Sequence, residues 1–357
     1  MGNNSSAPAQ VTPPTDKSLN PQSDPLSVPP PPATVGQAVI TPGAEAHTPP
    51  EVKPVQPEIK PELPNNPGTY EELHKACKEI FPQPFEGGRL VIGKGVSSHF
   101  QINHTLTLGS PMVSGYRFGA TYVGSKQFSP QESYPVLLGD VDASGNVNAN
   151  IIHAFSKNIF TRFVAQFQGE KSNTQLVTDY KGSSYTASLT VANPDLLNGS
   201  GLAVGQYLQK ITPSFDLGAE CMYQRGGHIP GGQVAVMSMA GRLKGEKWQA
   251  ASTFCPAGPG GGGLHASYCH KINDTLQIGA EFETSVGMGE STATVGYQLE
   301  VPAVGVNFKG QVDSNWTIAA CMEKKLLESQ IPLTVSFSAI GSQVKSDYKF
   351  GIGMNIG

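Results

Sequence analysis

The stretch FDLGAECMY at 215–223 decides the fold. Phe215, Leu217, Ala219, Cys221 and Tyr223 are apolar, and Asp216, Gly218 and Glu220 alternate with them. Successive side chains of a strand point to opposite faces, so the segment has one greasy and one polar face. The same alternation is written in LQIGAEFE at 276–283 and YKFGIGMNI at 348–356. It recurs in short units from about residue 90 to the end, broken by Gly, Asn, Asp, Ser and Pro. No convincing helix interrupts it. The first unit, 90–108, is long enough for two strands. A membrane strand with its turn takes about 12–15 residues, so this region predicts 18 or 19 strands. A sheet that long must close on itself or stack as a sandwich.

The two faces allow two readings. In a soluble sandwich the apolar face points inward; in a membrane barrel it points at lipid and the polar face lines a lumen. Three features favour the membrane. The strand count exceeds that of soluble barrels. The apolar face is padded with Ala, Gly, Thr and Val. Charged residues are only 15% of the chain, against about 25% in typical soluble domains. Aromatic residues recur near strand ends, at Tyr116, Tyr122, Phe160, Phe167, Tyr180, Tyr207 and Tyr223 among others, as interfacial girdles would. Nineteen strands tilted by about 40° give a backbone diameter of roughly 38 Å, wide enough for a helix of about 10–12 Å.

The 357 residues carry 41 glycines, and the net charge of −4 leaves no basic footprint for nucleic acid. No run approaches the 18 or more apolar residues of a membrane-spanning helix. MGNNSSAPAQ lacks the charged and apolar regions of a secretory signal. Cys77, Cys221, Cys255, Cys269 and Cys321 are scattered, with no CxxC pair. They read as free thiols, and no metal site or cofactor is expected from them.

Residues 1–67 form a first region. It holds 17 of the 29 prolines and almost no aromatics, so a disordered arm is expected. Residues 68–86 change character. Thr69 with Glu72 three positions on is a capping box. Leu73, Ala76, Cys77 and Ile80 share one helical face, and Pro82 stops the run. One amphipathic helix of about eleven residues is expected, too short to stand alone. It docks either outside the sheet or on the inner wall of a barrel. Residues 87–357 form the third region, the barrel.

Several strings are specific beyond any strand pattern. NPGTYEELHKACKEIFP, SSHFQINHTL, YVGSKQFSPQESYPVLLGDVDASG, NPDLLNGSG and FKGQVDSNW are the longest. From about Asn65 to Gly357 they resemble the family of channel-forming subunits of the translocase of the outer mitochondrial membrane. The resemblance implies an all-β transmembrane barrel of 19 strands, related to the voltage-dependent anion channel, with the helix inside the pore. The number of strands is that channel's own. It also implies a multi-pass protein of the mitochondrial outer membrane, assembled as two or more barrels. Its expected partners are the lipid bilayer, small single-helix subunits, receptor subunits and unfolded precursor proteins with basic presequences. The final strand of mitochondrial barrels carries a sorting signal in such families, and Lys349, Gly351, Met354 and Ile356 occupy its four positions.

A passive conduit with no covalent chemistry follows. Basic presequences would meet carboxylates on the polar faces: Asp179, Asp216, Glu220, Glu281, Glu283 and Glu300, with Asp140 and Asp142 at a rim. Each exposed pairing is worth only about 0–1 kcal/mol, and conduction needs sites that release as easily as they bind. Catalytic templates are absent: no nucleophile elbow, HExxH or P-loop occurs. Two alternatives stay open, a metabolite and ion porin of the anion-channel type and a soluble β-rich binding protein.

Overall fold

The computed structural model describes residues 65–357, apart from 110–113, 130–131, 170, 196–198, 228, 230, 257–260, 327–331 and 345. Of the Pro-rich arm expected at 1–67, residues 1–64 lie outside the described residues, and the expectation is corrected at its end, because Asn66 bonds to the wall and Pro67 is buried. Nineteen strands follow one another: β1 Gly87–Ser97, β2 Phe100–Leu108, β3 Gly115–Ser129, β4 Glu132–Asp142, β5 Val147–Ala154, β6 Ile159–Gln168, β7 Lys171–Lys181, β8 Tyr185–Asp195, β9 Ser200–Thr212 and β10 Phe215–Arg225. The second half continues with β11 Gln233–Lys244, β12 Trp248–Cys255, β13 Gly263–Lys271, β14 Leu276–Ser285, β15 Glu290–Val301, β16 Val306–Asp313, β17 Thr317–Leu326, β18 Leu333–Ser342 and β19 Asp347–Ile356. Each pairs antiparallel with the next.

The sheet closes where β1 meets β19, in parallel, from Gly87↔Gly351 to Ile92↔Ile356. Closure of an odd number of alternating strands requires one parallel pair, and this is it. A closed sheet leaves no backbone edge unpaired, the condition for crossing hydrocarbon. No described helix is long and apolar enough to cross a membrane. The barrel of about 19 strands expected from the alternation is therefore observed.

The apolar face points outward. Leu217, Met239, Phe254, Ile278, Val295, Phe337 and Ile352 all stand exposed on the outer wall. Tyr185 stacks on Tyr207 and stands tilted against Tyr180 across β7 to β9, a section of aromatic girdle. Phe160 departs from the expected girdle. It pairs with Asp179 and packs its ring edge-on against buried Tyr134, so it faces the lumen.

Two expectations about local structure are corrected. The apolar–polar alternation reads as a strand over 302–311, but the strand begins only at Val306, because Pro302–Val304 form a 3-10 turn that ends at Gly305 in the left-handed region. The helix of about eleven residues is broken into a 3-10 turn, Tyr70–Glu72, and one α-helical turn, α1, Lys75–Lys78. The cause is on the wall. Gln249 of β12 donates its Nε2 hydrogen to the Leu73 carbonyl at 3.1 Å. A continuous helix would give that carbonyl to the Cys77 N–H, which turns instead to the His74 carbonyl at 3.1 Å.

Candidate functional site in the barrel lumen

The segment 66–86 runs along the inner wall, crossing the strands nearly in their order around the barrel. Asn66 donates to the carbonyls of Gly182 and Tyr185 at 2.8 and 3.0 Å, where β8 begins. The Pro67 carbonyl accepts from Arg242 of β11. His74 lies between β12 and β13, with Nε2 2.9 Å from Thr253 Oγ1 and Nδ1 2.7 Å from Ser267 Oγ. Cys77 donates to the Tyr268 and Ala280 carbonyls at 3.4 Å. Phe85 donates its N–H to Ser338 Oγ of β18 at 2.8 Å. Glu86 meets Lys349 of β19 at 3.1 Å.

Tyr70, Leu73, Cys77, Ile80 and Phe81 are buried, each 8% exposed or less. Ala76, on the same predicted face, is half-buried. The glycines beneath them explain the fit. A Cβ on Gly279 would stand 3.2 Å from Cys77 Sγ and 3.4 Å from Ile80 Cδ1; on Gly296 it would stand 2.6 Å from Phe81 Cδ1. Gly351 holds the same relation to Phe85. These lumen-facing glycines form the seat of the segment, a role the sequence reading did not assign them. The expected capping box opens the segment, with Glu72 Oε2 accepting from the Thr69 N–H at 3.3 Å.

Burial also sets the charge of the segment. It holds His74 well below the ordinary histidine range, at about 4, with His265 alongside adding to the effect, so His74 is neutral at pH 7. Burial pushes the Cys77 thiol up to about 12 and leaves it inert. The Glu71 carboxyl is raised by burial and drawn back by Arg162 of β6, 3.5 Å away.

All eight carboxylates named from the sequence lie on inward-facing positions, and they do not converge on one point. Asp140 meets Arg117 at 3.2 Å and accepts from Asn148. Asp142 accepts from the Ser144 and Asn146 backbone N–H groups and from the Asn146 amide, so it caps the turn to β5. Glu220 accepts from Gln206 at 2.7 Å. Glu281 is held by His265 Nε2, with Glu283 3.5 Å from the same nitrogen. Glu283 and Glu300 are exposed to the lumen, and Asp179 is half-buried.

Asp216 is the exception, and its reading as a cargo-facing carboxylate is corrected. Its side chain is 3% exposed, and it accepts from Arg242 Nε and from one terminal nitrogen at 2.9 and 2.7 Å. Lys244 stands 3.4 Å away. The charge is neutralised and enclosed, and the pair holds the segment at Pro67. Asp216 and Arg242 are directly opposite in the β10–β11 hairpin.

In β19 the alternation splits the four sorting positions. Lys349 and Gly351 face inward, to Glu86 and Phe85; Met354 is 42% exposed on the outer wall, and Ile356 shares its face.

Comparison with known proteins agrees with this architecture. The eukaryotic porin family matches residues 66–351. The chain is 47% identical over 293 residues to the mitochondrial import receptor subunit TOM40 homolog of Xenopus laevis, covering 82% of this chain and 84% of that one. The homologs of Homo sapiens and Caenorhabditis elegans are 45% and 46% identical over 82% of this chain, and 78% and 95% of theirs. Among solved structures, a variant porin of Rh. blastica is similar at a TM-score of 0.43 and 12% identity, over 66% of this chain and 95% of that one. A family match running from the interior segment into the last strand, with relatives at this identity, leaves one assignment: the chain belongs to the eukaryotic porin family, among the TOM40 homologues.

Proposed function

We propose that this chain is the protein-conducting channel for import of unfolded precursors across the mitochondrial outer membrane. The observation that carries the reading is the 45–47% identity to import receptor subunits along the whole barrel and its interior segment. The lumen is a conduit and performs no covalent chemistry. Its cargo is a basic presequence, and its partners are the bilayer, small single-helix subunits and receptor subunits. Glu283 and Glu300, both exposed, are the carboxylates best placed to meet cargo, with half-buried Asp179 and Glu220 beside them. Asp140 and Glu281 contribute to the field through partly exposed pairs. Each contact is worth about 0–1 kcal/mol, so a chain can step from one to the next. Lys349, Gly351, Met354 and Ile356 serve as the signal by which the last strand is sorted.

Reconstituted barrels test the reading. A basic presequence peptide added during single-channel recording should block the current. Combined Glu281→Gln, Glu283→Gln and Glu300→Gln should shorten the block at low salt and slow import of presequence cargo. Unchanged block and import kinetics would overturn the acidic route. Free passage of metabolites without any peptide block would overturn the channel assignment.

A further inference from the structure

We infer that the lumen wall carries a binding site for one divalent transition-metal ion, built from His265, Glu281 and Glu283. The three donor atoms, His265 Nε2 and one oxygen of each carboxylate, lie within 4.8 Å of one another. Residues two apart on a strand share a face, so β14 presents both carboxylates to the lumen together. His265 is directly opposite Glu283 in the β13–β14 register, which puts its imidazole between them. Its Nε2 stands 3.5 Å from Glu283 Oε1. Metal–ligand bonds of about 2.0–2.2 Å in tetrahedral geometry place donor atoms about 3.4 Å apart, so this edge already has the right length. For the ion to bind, Glu281 swings its carboxylate away from the imidazole, and the proton that Nε2 donates to it leaves to solvent or passes to Nδ1.

The imidazole is also oriented. His74 stacks on His265 with ring centroids 3.8 Å apart and 27° between planes. His74 is itself fixed by Thr253 and Ser267. Ligands whose orientation is set by a supporting layer bind metal more tightly. A cavity of about 400 Å³ adjoins the cluster, lined by Cys255, His265, Glu283 and Glu290 among others. It leaves room for the water that completes a coordination sphere. One imidazole nitrogen and two carboxylates suit Zn²⁺ or Mn²⁺; the nitrogen donor disfavours Ca²⁺ and Mg²⁺. This site rests on the geometry of the wall alone and stands whether or not cargo follows the acidic route.

The test is a titration of the purified full-length barrel in detergent with Mn²⁺, read by loss of the free-ion EPR signal, then competed with Zn²⁺. Mn²⁺ avoids the five cysteines that complicate zinc alone. One ion per barrel is expected at micromolar concentration. His265→Gln and Glu283→Gln should each weaken it by about tenfold or more, while Glu300→Gln should not. Glu283 is exposed, so its variant decides the matter even where the His265 variant fails to fold. Binding of one ion that survives both substitutions, or none below millimolar concentration, overturns the site.

Discussion

The inner wall has two arcs of different character. From β8 to β19 it lies under the segment 66–86, and small inward residues, Thr186, Ser188, Gly218, Ala251, Ser267 and Gly279, recur between larger ones such as Leu208 and Arg242. From β3 to β7 the segment reaches the wall through Glu71 and Arg162, and the inward positions carry Val123, Val136, Leu138, Ile152, Val164 and Val177. Volume accounts for the difference. Where Tyr70, Leu73, Ile80 and Phe81 fill the space, the strands must supply glycine and alanine; where nothing is docked, the strands supply the bulk themselves. The larger arc of the lumen is therefore shaped by a packed interface and the smaller one by the sheet itself. The same substitution should have different effects on each.

The largest contrast should come from charge. Arg242→Met removes the partner of enclosed Asp216 and should cost about 3 kcal/mol, near the low end for an orphaned buried charge because Lys244 remains close. Arg117→Gln on the bare arc breaks the exposed pair with Asp140 and should cost less than about 1 kcal/mol. Thermal unfolding in one detergent measures both. Equal losses would erase the distinction between the arcs.

Size should give the next contrast. Gly296→Leu drives a side chain into Phe81 and should cost about 1–3 kcal/mol, with protease sensitivity appearing in 66–86. Gly119→Leu, whose Cβ would meet its nearest neighbour at 3.6 Å, should leave that segment protected.

The smallest effect should come from pH. His74 titrates at about 4 when docked, against 6.5 when free, with His265, Lys78 and Glu281 facing it. The docked form binds fewer protons across that interval, so docking is at full strength above pH 6.5 and weakens as pH falls towards 4. After solvent screening the loss should be about 1 kcal/mol. Proteolysis of the segment at pH 7.5 and 5.5 checks it, and His74→Gln should flatten the response.

The barrel was legible in the sequence because lipid on one side and water on the other impose a period of two along every strand. The two runs within 90–108, and the stretches 215–223, 276–283 and 348–356, could be read almost residue by residue for that reason. Phe160 misled because an aromatic near a strand end looks the same on either face; only its alternation with outward Ile159 and Thr161 distinguishes it. The break in the helix was not legible at all, since Gln249, which causes it, lies 176 residues away in sequence. The polar faces could be identified, but not which of their carboxylates remain free. Asp216 and Glu300 look alike until Arg242 is placed opposite one of them.

The parallel seam has a consequence for biogenesis. Every other pair of strands joins neighbours in the chain and needs only a short loop to form. The seam joins the first strand to the last, so two edges of bare backbone persist until β19 arrives. In hydrocarbon each unpaired group costs several kcal/mol. Release into lipid must therefore wait for ring closure. The segment 66–86 can enter sideways only before that moment; afterwards its route is through an open end of the barrel.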